Sequence, residues 1–346
     1  MNSWLVIRSR HFPVSFRTDR RVPAVLLMLF LVTLAAMVAS VGQGEYPIPP
    51  LEVLKTLLGW ETQNPDYPFI INTLRLPRTL VAFMVGVGLA ISGTILQGIT
   101  RNPLADPEIV GMNAGASLAS VALIVLVPTP LFALPLSAFG GAMVVSLLIY
   151  LLAWNEGSSP IRLILVGVGL AFIARALTLL MITFGDISSV SQALVWLAGS
   201  VYGRTWEQVL LLLPWLGVFV PLALVLARHL NALNLGDDLA RGLGSSVEWQ
   251  RGLLLLTSMA LVSASVATAG TIAFVGLIAP HIGRQLVGPN HEGLILVAAM
   301  LGGAIVVIAD LLGRILFAPI ELPCGVITAV VGAPYFLYLL ICHRWR

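Results

Sequence analysis

Apolar windows with almost no charged residues recur along the whole chain, and the segments between them carry most of the charge. A hydrocarbon core of about 30 Å needs about 20 apolar residues in a helix, and the windows are close to that length. The pattern therefore predicts an all-α polytopic membrane protein with about ten transmembrane helices. Their predicted limits are Val22–Val41, Thr79–Ile99, Ile109–Val127, Pro135–Trp154, Ile161–Phe184, Gln208–Ala227, Arg251–Ala269, Thr271–Val287, Gly293–Ile308 and Leu322–Cys342.

Three connecting segments are longer than a turn requires. Residues 42–72 and 187–203 are predicted on the outer side, and both carry aromatic residues that suit a membrane interface. Residues 229–250 form a polar loop that is predicted in the cytoplasm. Because apolar windows recur along the whole chain, residues 1–346 are predicted to form a single integral-membrane domain.

Residues 1–21 form a basic leader with five arginines. The apolar stretch that follows has about 20 residues, whereas the apolar part of a secretory signal has about 7–15. We therefore predict a cytoplasmic leader and a first transmembrane helix. Composition agrees, because 58% of residues are hydrophobic and only 10% are charged, against roughly 25% charged in soluble proteins.

The distribution of arginine predicts the orientation, because connecting segments rich in Lys and Arg stay in the cytoplasm. With the N-terminus inside, the inner side collects the leader arginines and Arg101, Arg162, Arg228, Arg241, Arg251, Arg284, Arg344 and Arg346. The outer side keeps Lys55, Arg75, Arg78, Arg204 and Arg314. Both termini are thus predicted in the cytoplasm. The positive charges are scattered singly, so we expect membrane lipid around the chain and no nucleic-acid partner.

Glycine is frequent inside the predicted spans. Gly86, Gly88 and Gly93 lie in the second span, and Gly302 and Gly303 lie in the ninth. Small residues let the backbones of membrane helices approach closely. The sequence therefore predicts tight helix packing at these positions.

The residues of an enzyme active site are missing from the sequence. Its five histidines have no H-E-x-x-H spacing for a metal. A phosphate-binding P-loop needs a lysine after a glycine, and Lys55, the only lysine, follows Leu54. We predict no catalytic residue, no metal site and no cofactor, so any ATP hydrolysis would need a separate chain.

The cytoplasmic loop contains a segment that predicts a short helix. Asp237 or Asp238 is a plausible N-cap, and Gly244 would end the helix. The helix would present Leu239, Ala240 and Leu243 to the cytoplasm. Two interpretations remain open: a docking element that fits the groove of a partner, or a solvated loop helix.

Several strings in this order resemble the FecCD family of permeases, from the first span to the C-terminus. The matching strings are Leu74–Arg78, Gln97–Gly111, Gly236–Gly244, Phe274–His281, Asp310 with Arg314, and Glu321–Val326. The resemblance implies the membrane subunit of an ATP-driven ABC importer in the bacterial cytoplasmic membrane. Its implied partners are a second permease subunit, homologous or identical, two ATP-binding subunits and a periplasmic or lipid-anchored substrate-binding protein. The implied substrate is a ferric siderophore, with vitamin B12 or haem as the alternative.

The resemblance also implies roles for particular residues. It makes the Gly236–Gly244 loop the coupling element to the ATPase, through Gly236, Asp237, Asp238, Leu239, Ala240, Arg241, Leu243 and Gly244. It makes Arg75, Arg78 and Arg314 docking residues for acidic groups of the binding protein. The alternative for these three arginines is that they only extend their charged ends to the membrane surface.

A different class of protein, an ion-coupled secondary transporter, would favour carboxylates buried inside the spans. Asp310 and Glu321 are instead predicted at helix ends. Arg175 follows Arg162 by 13 positions, which is about 20 Å along a helix, so it is predicted near mid-membrane. A charge there faces a cavity or a partner, and both a translocation-pathway role and a structural pair with a neighbouring helix remain open.

Overall fold

The computed structural model describes residues 4–8, 15–44, 46–108, 111–127, 133–154 and 160–342, which are almost entirely helical. In chain order the helices are α1 Arg21–Gly42, α2 Pro50–Leu57, α3 Tyr67–Phe69, α4 Leu76–Thr100, α5 Met112–Leu126, α6 Ala133–Ala153, α7 Pro160–Phe184, α8 Ile187–Leu197, α9 Trp206–Asn234, α10 Asp237–Gly242, α11 Val247–Ala269, α12 Val275–Val287, α13 His291–Ile315 and α14 Cys324–Cys342. A π-helical turn, Ile70–Arg75, makes α3 and α4 continuous.

The leader departs from the all-helical prediction. Its strands β1, Trp4–Arg8, and β2, Ser15–Asp19, pair antiparallel, with Trp4 opposite Asp19 and Arg8 opposite Ser15. The strand β2 also contacts α13. Val6 and Ile7 in β1 and Phe16 and Thr18 in β2 are residue types that favour strands, a preference that the arginine content of the leader obscured.

Each predicted span coincides with a helix. Seven helical segments are long and apolar enough to cross a membrane, counted over the described residues: α1, α3–α4, α6, α7, α9, α11 and α13. Two predicted spans, α5 and the described part of α14, are shorter apolar helices. The eighth predicted span corresponds to α12, which has 13 residues and is shorter than a membrane crossing needs. Gly270 separates α11 from α12 as predicted, with φ of +74°, a conformation that favours glycine.

The core of the bundle is formed by α4, α11 and α13. In α4 and α11, 83% of the most apolar window is buried, and in α13 the share is 61%. The shares in α1, α6, α7 and α9 are only 22–28%. These four helices leave long apolar side chains exposed, which is the arrangement expected of helices that face lipid.

Glycine contacts hold α4 against its neighbours, as the sequence predicted. A Cβ atom at Gly86 would overlap the backbone of Gly302 and Gly303 in α13. A Cβ atom at Gly93 would overlap the carbonyl group of Gly276 in α12, and this carbonyl accepts a hydrogen bond from Gln97 Nε2 at 3.2 Å. The three helices are therefore in backbone contact, without side chains between them.

We predict that Gly93→Ala destabilises the protein by about 1–3 kcal/mol, the usual cost of overpacking, because α4 and α12 must separate to admit the methyl group. The measurement is thermal unfolding of the detergent-solubilised protein. Gly140→Ala is the matched control, since a Cβ atom there meets no atom within 4 Å. It should leave stability unchanged or raise it slightly, because alanine favours helix. Equal losses in both variants would contradict the assigned contact.

Candidate functional sites at the two ends of the bundle

The first site is a cluster of charged side chains at the end of the bundle predicted outside. Arg78, in the first turn of α4, donates from Nη2 to Asp310 Oδ1 at 2.7 Å and from Nη1 to Glu321 Oε2 at 2.8 Å. Arg314, one turn further along α13, has its Nη2 atom 3.2 Å from Asp310 Oδ2. Asp310 is thus enclosed by two guanidinium groups and is only 2% exposed.

Acceptors at the end of α1 and in the segment that follows complete this cluster. Arg314 Nη2 donates to the Ser40 carbonyl at 3.0 Å and to Ser40 Oγ at 2.6 Å. Arg75 donates three hydrogen bonds, at 2.6–3.2 Å, to backbone carbonyl groups between residues 41 and 46. The cluster therefore joins α1, α4, α13 and the loop before α14.

The three arginines predicted from distant parts of the sequence do lie together, but their guanidinium groups bind acceptors of the chain itself. Their role in docking another protein stays a prediction. The prediction that Asp310 lies at a helix end is wrong. It lies inside α13, because the helix continues to Ile315, and the two arginines supply the positive charge that a buried carboxylate requires.

The second site is the short helix α10, at the opposite end of α4. Gly236 precedes it with φ of +110°, a conformation that favours glycine. Arg251 Nη2 donates to both carboxylate oxygens of Asp237 at 2.8 Å, and Arg101 Nη2 donates to Asp237 Oδ1 at 3.3 Å. Because Arg251 belongs to α11 and its side chain is 1% exposed, this bond ties α10 firmly to the bundle.

The structure corrects two details of the predicted coupling segment. Gly236 occupies the N-cap in place of Asp237 or Asp238, and both aspartates lie in the first turn, where the helix dipole favours carboxylates. Ala240 is fully buried, so it is not presented to the cytoplasm as predicted.

The exposed residues of α10 and its C-cap include two leucines and two solvated charges, Asp238 and Arg241. Leu239 is 62% exposed and Leu243 is 69% exposed. Arg241 lies beside them, 3.6 Å from Asp238 and 3.7 Å from Glu248, with more than half of its side chain in solvent. Gly244 follows with φ of +83° and ends the segment where the sequence predicted. Leu239 and Leu243 therefore project from a segment that hydrogen bonds to Asp237 hold against the bundle.

Sequence reasoning missed the partners of Asp237. Arg251 and Arg101 are 14 and 136 positions away from it, and nothing in the sequence distinguished them from other arginines of the inner segments. Their common placement on the predicted cytoplasmic side was the one available indication.

Arg175 lines a cavity of about 370 Å³ on the α5 side of α7. Glu108, Asn113, Ser117 and Thr178 line the same cavity. Burial raises the pKa of the Glu108 carboxyl, and the charge of Arg175 acts in the opposite direction. Arg175 therefore faces a polar cavity that also holds a carboxylate, an arrangement consistent with both interpretations left open by the sequence.

The loop before α5 holds a second buried carboxyl, that of Asp106. Burial raises its pKa to about 7, and Oδ1 accepts a hydrogen bond from the Glu108 backbone N–H at 2.8 Å. In the described residues, no three His, Cys, Asp or Glu side chains are grouped so that they could hold a metal ion.

Residues 30–342 match the sequence profile of the FecCD transport family. The chain belongs to the FecCD transport family. Membership makes it a multi-pass transport protein and not an enzyme.

FecCD relatives match over nearly the whole chain. The achromobactin transport system permease protein CbrC of Dickeya dadantii is 44% identical, covering 99% of this chain and 98% of its own length. The Fe(3+)-citrate import system permease protein YfmE of Bacillus subtilis is 42% identical, covering 94% and 96%. The Fe(3+) dicitrate transport system permease protein FecD of Escherichia coli is 41% identical, covering 93% and 99%.

Solved structures agree with this assignment. An inward-facing conformation of a metal-chelate type ABC transporter superposes with a TM-score of 0.84 at 32% identity, covering 92% of this chain and 99% of that one. PsaBC from Streptococcus pneumoniae superposes with a TM-score of 0.56 at 16% identity, covering 85% and 99%, and shares the fold.

We predict that Arg78→Gln destabilises this FecCD protein by about 3 kcal/mol or more, because it leaves Asp310 buried with one guanidinium partner in place of two. Thermal unfolding in detergent measures the effect. Arg241→Gln is the control, since its ion pairs are exposed and worth at most about 1 kcal/mol.

The double variant Arg78→Gln with Asp310→Asn should not recover the loss, because it also takes from the buried Arg314 the carboxylate that Arg314 Nη2 contacts. Equal unfolding temperatures for Arg78→Gln and Arg241→Gln would show that the cluster contributes nothing special.

Proposed function

We propose that this chain is the transmembrane permease subunit of an ATP-driven ABC importer that moves a ferric siderophore across the bacterial cytoplasmic membrane. It would work with a second permease subunit, homologous or identical, two ATP-binding subunits and a periplasmic or lipid-anchored substrate-binding protein. The observation that supports this most strongly is α10. A short helix that projects two exposed leucines while an almost fully buried arginine holds its base suits the transfer of force between chains.

The hydrogen bonds that hold α10 to the membrane helices support a role in coupling. A helix that only fills a solvated loop has no need of a charge-assisted hydrogen bond from Arg251. The Arg251 side chain is 1% exposed, and burying its charge is costly. A helix that transmits motion needs a stiff link to the membrane helices. The bonds from Asp237 to Arg251 and Arg101 provide that link to α11 and to the end of α4. ATP binding and hydrolysis in the partner subunits would then shift the permease between outward-open and inward-open states.

We also propose that the outer arginine cluster forms the base of the docking surface for the binding protein. Three arginines and two carboxylates, Asp310 and Glu321, leave the cluster with a net charge of plus one. Arginine has five N–H donors, and the internal bonds take only some of them. A positive surface of this kind favours the approach of acidic groups and mainly affects the association rate.

The substrate proposal rests on the relatives, whose names refer to achromobactin and to ferric citrate. Vitamin B12 and haem remain the alternatives within the class. An ion-coupled secondary transporter is a weaker candidate. Asp310 is a buried carboxylate inside α13, and Arg78 and Arg314 already neutralise its charge.

The test of this function combines partner capture with uptake. We expect the tagged chain to co-purify with an ATP-hydrolysing subunit, and cells that express the system to accumulate radiolabelled iron from a carboxylate or hydroxamate chelate. Leu239→Glu with Leu243→Glu should reduce stimulated ATP hydrolysis and uptake at least about tenfold, because charges replace apolar groups that a partner groove would bury.

Leu51→Glu with Leu58→Glu is the matched control, since these leucines are 63% and 61% exposed in the segment predicted outside. It should leave hydrolysis and uptake close to the wild-type values. Ala240 is unsuitable for such a test, because a charge at a fully buried position would unseat α10 itself. Normal transport in the Leu239/Leu243 variant would exclude the coupling role, and transport without any ATPase subunit would exclude the importer.

We predict that Arg175→Ala lowers uptake more than it lowers the amount of assembled complex, because Arg175 faces a polar cavity from an exposed position on α7. Uptake is normalised to folded complex measured by size-exclusion chromatography. Thr183→Ala, an exposed position further along the same helix, serves as the control. Loss of assembled complex in proportion to uptake would favour the structural pair with a neighbouring helix.

A further inference from the structure

A cavity of about 470 Å³, lined by both apolar and polar side chains, lies at the end of the bundle predicted outside, between α6, α8, α9 and α11. Pockets for small ligands have volumes of about 300–1,000 Å³, so the cavity can admit a substantial chemical group. It adjoins the outer arginine cluster, because Tyr202 lines it and the Tyr202 ring lies 5.4 Å from the guanidinium carbon of Arg78. Its polar lining residues are Gln192, Ser200, Arg204, Glu207 and Gln208.

Arg204 is the one lining residue whose interactions are incomplete. Its Nε atom is buried without a hydrogen-bond partner in the described part of the chain. Burial lowers the pKa of its guanidinium group. Arg75, Arg78 and Arg314 at this end bind carbonyl or carboxylate groups, although Arg314 Nε also lacks an acceptor in the described residues. Arg204 is partly exposed, so only its buried Nε donor lacks an acceptor, and a ligand anion would supply one.

The surroundings of Arg204 favour an anion over a cation. Gln208 Oε1 accepts hydrogen bonds from the Thr205 backbone N–H and hydroxyl, both at 2.8 Å, which leaves the Gln208 NH₂ group to donate to a ligand. Glu207 is the opposing charge in the lining, and it is exposed to solvent. A guanidinium fork and an amide NH₂ on one cavity wall match the two oxygens of a carboxylate.

We propose that this cavity is a carboxylate-binding site and that Arg204 holds the carboxylate. The proposal rests on the proposed importer function, in which two sources could supply the group. One is the chelate itself when it carries free carboxylates, and the other is an acidic side chain of the docked binding protein. In either case Arg204 adds a positive contact beside the arginine cluster, which also binds Asp310 and Glu321.

The experiment uses the assembled importer in nanodiscs. Citrate is the first probe, and its binding is followed through the fluorescence of Trp196, which lines the cavity, with Trp196→Phe identifying that signal. The purified substrate-binding protein is the second probe. Its rate of association with the immobilised importer is measured. Arg204→Gln should weaken the relevant interaction at least about tenfold, as expected for a charge-assisted hydrogen bond. Arg204→Lys should retain part of it, and Glu207→Gln should bind no more weakly than wild type.

The two arms separate the sources of the carboxylate. Loss of citrate binding in Arg204→Gln assigns the site to the chelate, whereas unchanged citrate binding with slower docking assigns it to the binding protein. Wild-type behaviour of Arg204→Gln in both arms would overturn the proposal. Co-purification of the ATPase is recorded for the same samples, so absence of that subunit would count against the importer function and leave the carboxylate site to be judged by the citrate arm.

Discussion

Backbone contact between α4 and its neighbours places both candidate sites. Lipid tails are as apolar as the side chains they contact, so helices in a bilayer associate mainly through close packing and hydrogen bonds. Gly86 and Gly93 let α4 touch α13 and α12, and Ser92 Oγ lies 2.7 Å from Ser258 Oγ of α11. Arg78 lies in the first turn of α4 and Arg101 follows its last turn, about 34 Å apart along the axis at 1.5 Å per residue. A displacement of α4 would therefore affect both ends.

The buried charged residues lie next to residues of opposite charge, as the low dielectric constant of the interior requires. Asp310 is enclosed by Arg78 and Arg314, and Asp237 holds Arg251. Each group would be costly to bury alone, whereas a paired group can remain charged where its geometry is good. These pairs join elements that are distant in sequence, so they fix the ends of the bundle in addition to balancing charge. Among the described residues, Arg204 Nε is buried without an acceptor, as are Arg251 Nε and Arg314 Nε, whose other nitrogen atoms bind Asp237 and Asp310.

The peripheral helices follow a different rule. In α1, α6, α7 and α9, between 22% and 28% of the apolar window is buried, so most of their surface remains available to lipid or to another subunit. A charge on such a helix is unusual, because a lipid-facing arginine is costly. Arg175 on α7 meets this constraint by facing a cavity that also contains Glu108. This placement limits which face of α7 lipid can cover, and it is compatible with the proposed pairing of two permease subunits.

The sequence by itself determined the properties that depend on local composition. Apolar windows located the seven long helices that can cross a membrane in the described residues, glycines marked the contact faces of α4 and α13, and Gly244 marked the end of the α10 segment. Only the tertiary structure decided which charges meet. Arg78 and Asp310 are 232 positions apart, and a single sequence contains no distance information between such residues. The sequence around Ala240 likewise predicted an exposed position. In the structure α10 packs against the bundle and buries Ala240 completely. Which charged residues pair with each other depends on how the helices pack, and the packing depends on the whole chain.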